Sequence, residues 1–303
     1  MRPCRDFVIP VSDLSRRWLV SIIGIPIVLV LLYSGNWVLG VPLSVLAAMG
    51  TQEVYRLAAH TGVDPFRLTG ATGAAALVLA GTWQGTFAAF APWALIVVGT
   101  VMLISLILAV MNRGATGGPL GAVSVTMAGC LYCGFSLSFV PLTLMFPTTE
   151  GWGETIGTPW LGVAVIALPL ATTWIGDAVA FFAGTKWGKQ KLAPSISPNK
   201  TWLGLWSGLG AAIAVGVVWY VITAPYLVGI PINGFLVAGL LGAVLGISAQ
   251  VGDLVISVFK REAGVKDTGT IFPGHGGILD RIDSIAFTVP VSYTVITLLT
   301  KIQ

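Results

Sequence analysis

Apolar residues run along this chain in long blocks. Nine runs of about 16 to 28 mostly apolar residues recur from end to end, near 18–34, 37–59, 68–83, 89–111, 119–146, 159–184, 202–224, 234–258 and 282–300. A helix needs about 20 apolar residues to cross a hydrocarbon core, where every backbone N–H and C=O must be satisfied within the span. The pattern therefore predicts an all-α, polytopic integral membrane protein with about nine transmembrane helices. Gly and Pro inside the runs, such as Gly24, Pro26, Pro141 and Pro169, are compatible with this, because neighbouring helices re-satisfy the backbone groups they free. No internal repeat is visible, and no polar stretch is long enough to bury a core of its own. The chain reads as one bundle.

Composition agrees: 55% of the 303 residues are hydrophobic and 9% are charged. A net charge of +4 does not point to nucleic acid, since the cations lie in short clusters between apolar runs, as in cytoplasmic membrane loops. Threading the nine spans with the N-terminus in the cytoplasm puts fifteen of the sixteen Lys and Arg at the cytoplasmic side, leaving only Lys301 opposite. The expectation is a multi-pass protein of the inner (cytoplasmic) membrane. Arg16 and Arg17 precede the first apolar run in the manner of a signal peptide, but no small-residue cleavage pattern follows, so an uncleaved first helix is expected. Cys4, Cys130 and Cys133 indicate no disulfide framework; the Cys-x-x-Cys lies in the apolar run AGCLYCGFSLSF and reads as helix packing.

Two loops on the cationic side carry most of the polar chemistry: WIGDAVAFFAGTKWGKQKLAPSISPNKTWLG, residues 174–204, and KREAGVKDTGTIFPGHGGILDRIDS, residues 260–284, preceded by QVGDLVISVF. Each is announced by a Gly-Asp pair within an apolar run. Asp177 and Asp253 are expected roughly 10 Å inside a helix end, at 1.5 Å per residue. A carboxylate there is costly unless it is paired, metal-bound or facing a wet cavity. A structural ion pair with a loop Lys or Arg would satisfy each; two such acids, each beside a glycine, favour a functional cavity. Asp280 and Asp283, three apart at a helix start, share one face with Arg281 turned away, and the helix dipole alone favours an acid there. Carboxylates converging on one membrane surface need a counterion, and hard oxygen ligands select Mg²⁺ or a similar cation shared with phosphates. Lys260, Arg261, Lys266 and Arg281 are the cations that phosphate oxygens require. The glycines of FPGHGGILDR supply backbone whose amides can close around a phosphate. His275 among them is either a surface histidine or a phosphate donor and proton shuttle. Ser197, Lys200 and Thr201 offer hydroxyl and ammonium groups, or simply cap a helix. Together these features imply phosphoryl or nucleotidyl transfer at the cytoplasmic membrane surface, driven by positioning and electrostatics. The N-terminal helices, 1–150, then carry a C-terminal catalytic region, 151–303.

The stretch SVFKREAGVKDTGTIFPGHGGILDRIDS, residues 257–284, closely resembles the signature of the phosphatidate cytidylyltransferases, or CDP-diacylglycerol synthases: Ser-x-x-Lys-Arg, four residues, Lys-Asp, then His-Gly-Gly-x-x-Asp-Arg-x-Asp. GDAVAFFAGTKWGKQKLAPSISPNKTW is similar to a second stretch of that family, and the likeness covers roughly residues 160 to 300. The resemblance implies that CTP and phosphatidate become CDP-diacylglycerol and pyrophosphate. It implies Mg²⁺, with a second cation left open, held by Asp253 and Asp280, with Asp267 and Asp283 in the same polar site. It further implies Lys260, Arg261, Lys266, His275 and Arg281 on phosphates, Ser197, Lys200 and Thr201 lining the nucleotide or lipid phosphate region, and a homodimer among membrane lipids; Asp177, as the acid of a functional cavity, is expected beside the substrates. Leu203 and Ile256 depart from the family pattern, where polar or acidic residues are common. A CTP-dependent lipid kinase and an anion transporter with midspan acids stay open as alternatives.

Overall fold

The computed structural model describes residues 24, 26–149, 159–226, 232, 234–269 and 276–302. Residues 26–34 end a first helix. The chain continues through α1 (Asn36–His60), α2 (Arg67–Gln84), α3 (Phe87–Asn112), α4 (Pro119–Gly129), a π-helical turn (Cys130–Phe135) and α5 (Ser136–Thr149). The second half runs α6 (Pro159–Trp187), β1 (Lys191–Ala193), β2 (Ser197–Thr201), α7 (Trp202–Thr223), α8 (Phe235–Glu262), α9 (Leu279–Ile282) and α10 (Ile285–Ile302). The fold is helical, as the hydropathy requires, apart from the antiparallel β1–β2 hairpin, where Lys191 pairs with Thr201.

Among the described residues, seven helices are long and apolar enough to cross a membrane, α4, the π turn and α5 counting as one, and α9 with α10 as another. This is fewer than the nine expected. Helix α2 is a regular 18-residue helix but is rich in Gly, Ala and Thr, and the first span is described only at its end. α2 still runs antiparallel to α1: Gly40 meets the Thr82 side chain and Gly70 meets Tyr55. The Tyr55 hydroxyl donates to the Thr126 carbonyl at 2.6 Å, tying α4 to the same pair.

An aromatic cluster joins the two halves. Phe87 of α3, Phe135 of the π turn, and Phe139 and Phe146 of α5 gather on Tyr293 of α10 and on one another, with ring centroids 5.1 to 6.2 Å apart. The second half packs instead through small residues, as membrane helices do where side-chain burial supplies little drive. Gly176 and Ala180 of α6 face Gly208 of α7, and Ala212 and Gly216 of α7 face Ala238 and Gly242 of α8. Cys130 and Cys133 are free and buried, as expected from their apolar run; Cys4 lies outside the described residues.

Candidate active site

Helices α6 and α8 continue to Trp187 and Glu262, about one turn beyond the ends expected from hydropathy. The cationic residues at those ends belong to helix rather than loop, and Asp177 and Asp253 lie ten and nine residues before the last helical residue. Gly252 is what admits its neighbour to the site. A side chain there would run into the backbone of Asp283 and Ser284, so the start of α10 is pressed directly against α8 beside Asp253.

Asp253 is paired with Lys200 of β2, Nζ to Oδ2 at 2.6 Å, with 31% of the Asp253 side chain and 20% of the Lys200 side chain exposed. Its other oxygen accepts from the Ser257 hydroxyl at 3.4 Å. Asp253 also lies within electrostatic reach of Asp177 and Asp283, and Lys200 within reach of Asp177. Three carboxylates, from α6, α8 and the turn after α9, therefore share one end of the bundle with the ammonium groups of Lys200 and Lys260. Asp177 is exposed on α6 beside exposed Trp174, Ile175, Phe181 and Phe182. Asp283 accepts from the Ser284 amide at 2.7 Å, while its carbonyl accepts from the Tyr132 hydroxyl of the π turn at 3.2 Å.

Asp280 occupies a second knot. Its Oδ1 takes Lys260 Nζ at 2.7 Å, and the two side chains are 8% and 14% exposed. Its Oδ2 accepts from the Thr268 amide and hydroxyl, both at 2.9 Å, and from the Gly277 amide at 3.0 Å. Asp280 and Asp283 thus diverge rather than form one pair, because the short α9 ends between them. Lys260 connects the knots, since its charge also reaches Asp283.

Glycine in GHGG brings backbone to carboxylate rather than to open solvent. The Gly277 amide serves Asp280, and the amides of Ile278 and Leu279 donate to Glu53 of α1 at 3.1 and 2.8 Å. Gly277 has no room for a side chain beside Glu53 and Thr268. The Gly277, Ile278 and Leu279 amides are therefore engaged within the protein, and a phosphate nest built on them would need their release. Glu53 did not emerge from the polar loops, although it is the only acid in the apolar run 37–59. A carboxylate inside such a run is costly unless it is paired or hydrogen-bonded, and that is the signal in the sequence that marks Glu53.

The remaining expected residues lie around these knots. The Thr201 hydroxyl accepts from the Gly204 amide at 3.1 Å and caps α7. Ser197 is half-buried at the start of β2. The Arg261 guanidinium donates to the carbonyls of Ile196 and Val265 at 3.0 and 3.3 Å, latching the hairpin to the end of α8. Lys266, Asp267 and Arg281 are exposed on the connecting segment, and His275 lies outside the described residues. Leu203 is exposed and Ile256 is fully buried, so an acid at 256 would have no access to the polar surface.

No three His, Cys, Asp or Glu side chains among the described residues form a ready-made metal shell. Mg²⁺ does not require one: it commonly takes one or two carboxylates and completes its shell with water and substrate phosphate. The donor set around Asp253 fits that chemistry, because Asp177 and Asp283 add hard oxygens, three carboxylates in all against the two charges of Lys200 and Lys260.

Comparison with known proteins decides the family. The cytidylyltransferase family model matches residues 15–299. The chain belongs to the cytidylyltransferase family. Proteins named phosphatidate cytidylyltransferase are similar to it over most of its length: that of Synechocystis sp. is 32% identical over 94% of this chain and 97% of its own. The one from Chlamydia pneumoniae is 30% identical over 93% and 91%, and the one from Brucella abortus is 34% identical over 71% and 76%. The family match begins before α1 and takes in Glu53 as well as both polar loops, so the N-terminal helices belong to the cytidylyltransferase unit as fully as the signature does.

Proposed function

We propose that this cytidylyltransferase-family protein is a phosphatidate cytidylyltransferase, forming CDP-diacylglycerol and pyrophosphate from CTP and phosphatidate at the cytoplasmic face of the membrane. The observation that carries the reading is the continuous polar track Asp177, Asp253, Lys200, Asp283, Lys260 and Asp280 at one end of an otherwise apolar bundle. It combines cations for phosphate with carboxylates for a divalent ion, where a lipid phosphate and a soluble nucleotide can meet.

In this reaction an oxygen of the phosphatidate phosphate attacks the α-phosphorus of CTP. A new P–O bond forms, the α–β P–O bond breaks, and the electron pair leaves with pyrophosphate. The nucleophile is already largely ionised near neutral pH, so the protein need not supply a strong base. Its work is to hold two anions together and stabilise charge as it shifts to the leaving group. Lys200 and Lys260 are the ammonium groups placed among the carboxylates for this. Each exchanges some of its contact with Asp253 or Asp280 for substrate phosphate. Exposed Lys266 and Arg281 extend the cationic surface toward the triphosphate. The lipid enters from the bilayer along α6, where apolar side chains flank Asp177.

Asp253 is the carboxylate best placed to hold Mg²⁺, with Asp283 or Asp177 as a second. Asp280 would join them only by giving up one of its contacts to Lys260, Thr268 or Gly277. When bound, the ion supplies charge neutralisation for the triphosphate.

Purified protein given CTP, phosphatidate and Mg²⁺ should release pyrophosphate and form CDP-diacylglycerol. Release of CDP with a phosphorylated lipid would make it a kinase instead, and turnover equal with all four nucleoside triphosphates would remove cytidylyl specificity.

A further inference from the structure

Glu53 is the only acid among the described residues that is fully buried, at 0% exposure, and the reaction above gives it no part. A buried carboxylate costs several kcal/mol unless hydrogen bonds compensate for the lost water. Glu53 has three such bonds, from the Ile278 amide at 3.1 Å, the Leu279 amide at 2.8 Å and the Thr268 hydroxyl at 2.8 Å. All three donors lie in the Lys260–Ser284 segment, more than 200 positions away in sequence. Gly269 and Gly277 both pass so close to the Glu53 carboxylate that neither could carry a side chain. The segment is therefore shaped around this one group.

What Glu53 holds is the support of Asp280. Thr268, on one side of the knot, donates to Asp280 Oδ2 through both amide and hydroxyl; Gly277, adjacent to Ile278, donates to the same oxygen. A hydroxyl has one proton, so Thr268 serves Glu53 and Asp280 in alternation while its amide stays on Asp280. Glu53 meanwhile fixes the next two amides. Displacing its carboxylate would free both flanks of the Asp280 cradle and, through Asp280, the position of Lys260.

We propose that Glu53 is a positioning residue for cytidylyl transfer: from α1 it clamps residues 268 and 277–279 so that Asp280 presents Lys260 to the reacting phosphates. This inference rests on the functional reading above. Glu53→Gln keeps the size and one acceptor but places an NH₂ group where an oxygen meets a donor. In the full-length protein in nanodiscs, kcat should fall about 10- to 100-fold, the range found when an outer partner of a site is removed. KM for CTP and for phosphatidate should stay within about threefold, as befits a group that orients rather than binds. Backbone hydrogen exchange should quicken in residues 265–284 and stay unchanged in α7. Glu53→Asp, which keeps the charge but withdraws it by one methylene from the Ile278 and Leu279 amides, should lower kcat by a smaller factor, and it decides the matter if Glu53→Gln does not give monodisperse protein. Wild-type kcat in the folded variant, a rise in KM at constant kcat, or faster exchange throughout the bundle would each overturn the proposal. If the wild-type protein itself makes no CDP-diacylglycerol, the functional reading falls instead, and the exchange comparison alone still shows whether Glu53 holds the segment.

Discussion

Lys260 and Lys200 each pair with an aspartate, but removing them should have opposite signatures. The Lys260–Asp280 pair is nearly buried, and Asp280 accepts three further hydrogen bonds. Breaking a buried pair from one side leaves an uncompensated charge and costs about 3–5 kcal/mol. Lys260→Met should therefore lower thermal stability markedly, read by reaction of the buried Cys130 and Cys133 thiols with a maleimide dye on heating. The exchange Lys260→Asp with Asp280→Lys should not restore stability, because a lysine cannot accept from the Thr268 and Gly277 amides. At the other pair the Lys200 ammonium is buried but the Asp253 side chain is 31% exposed, so water can solvate the carboxylate left behind and the loss is about 1 kcal/mol. Lys200→Ala should unfold close to the wild-type temperature yet lose most of its turnover, about 100-fold if Lys200 holds the transferring phosphate. Equal turnover by Lys200→Ala would remove it from the reaction. Asp177 and Asp253 were legible in the sequence because a charge inside an apolar run has few reasons to be there, and Lys260 and Asp280 because they stand in the most polar loop of an apolar chain. Their pairing was not, since it depends on the hairpin and α9 folding back across α8; Glu53 also stands in an apolar run, but its partners, more than 200 positions away, were not legible.

At the level of elements, hydropathy located the helices well because the width of the hydrocarbon layer fixes their length. It was poorest where helices leave that layer. The last turns of α6 and α8 carry Lys186, Lys260 and Arg261, which read as loop but remain helical. The β1–β2 hairpin has strands of three and five residues, too short for an alternating pattern to declare itself. The packing of α7 between α6 and α8 was likewise unstated by composition, although glycine marks it. A Cβ at Gly242 would collide with the Ala212 carbonyl, and one at Gly216 with the Ala238 carbonyl. Gly242→Val should push α8 from α7, moving Asp253 relative to Lys200, and so lose activity and stability together. Gly99→Ala on α3 is the matched control, since nothing lies within 4 Å of its missing Cβ. There the better helix propensity of alanine, up to about 1 kcal/mol, should leave activity intact and stability equal or slightly higher. If the two substitutions behave alike, close packing of α7 on α8 is not what sets the Lys200–Asp253 distance.

For the molecule as a whole, the two ends of the bundle differ in charge. The Asp64 carboxylate joins Arg113 at 2.7 Å and Arg67 at 3.7 Å, bringing the end of α3 to the α1–α2 turn. Arg56 follows Glu53 by one turn on α1, and Glu53 binds the segment that carries Lys260, Lys266 and Arg281. Arg261 draws in the hairpin with Lys189, Lys191 and Lys200 through the Ile196 carbonyl. Helix α10 starts at this end, so Lys301 at its last turn lies at the other. Among the described residues, every Lys and Arg but Lys301 therefore gathers at the end that holds the site. Cations are retained on the cytoplasmic side during insertion, which predicts the direction of the whole bundle. In a protein with Cys4, Cys130 and Cys133 replaced by serine, a cysteine at Lys189 or Lys266 should react with a membrane-impermeant maleimide in inverted inner-membrane vesicles and resist it in intact spheroplasts; a cysteine at Lys301 should do the reverse. The opposite pattern at all three positions would put the site outside the cell, away from cytosolic CTP. Reaction of Lys301 and Lys266 cysteines from the same side would mean that α10 does not cross the membrane.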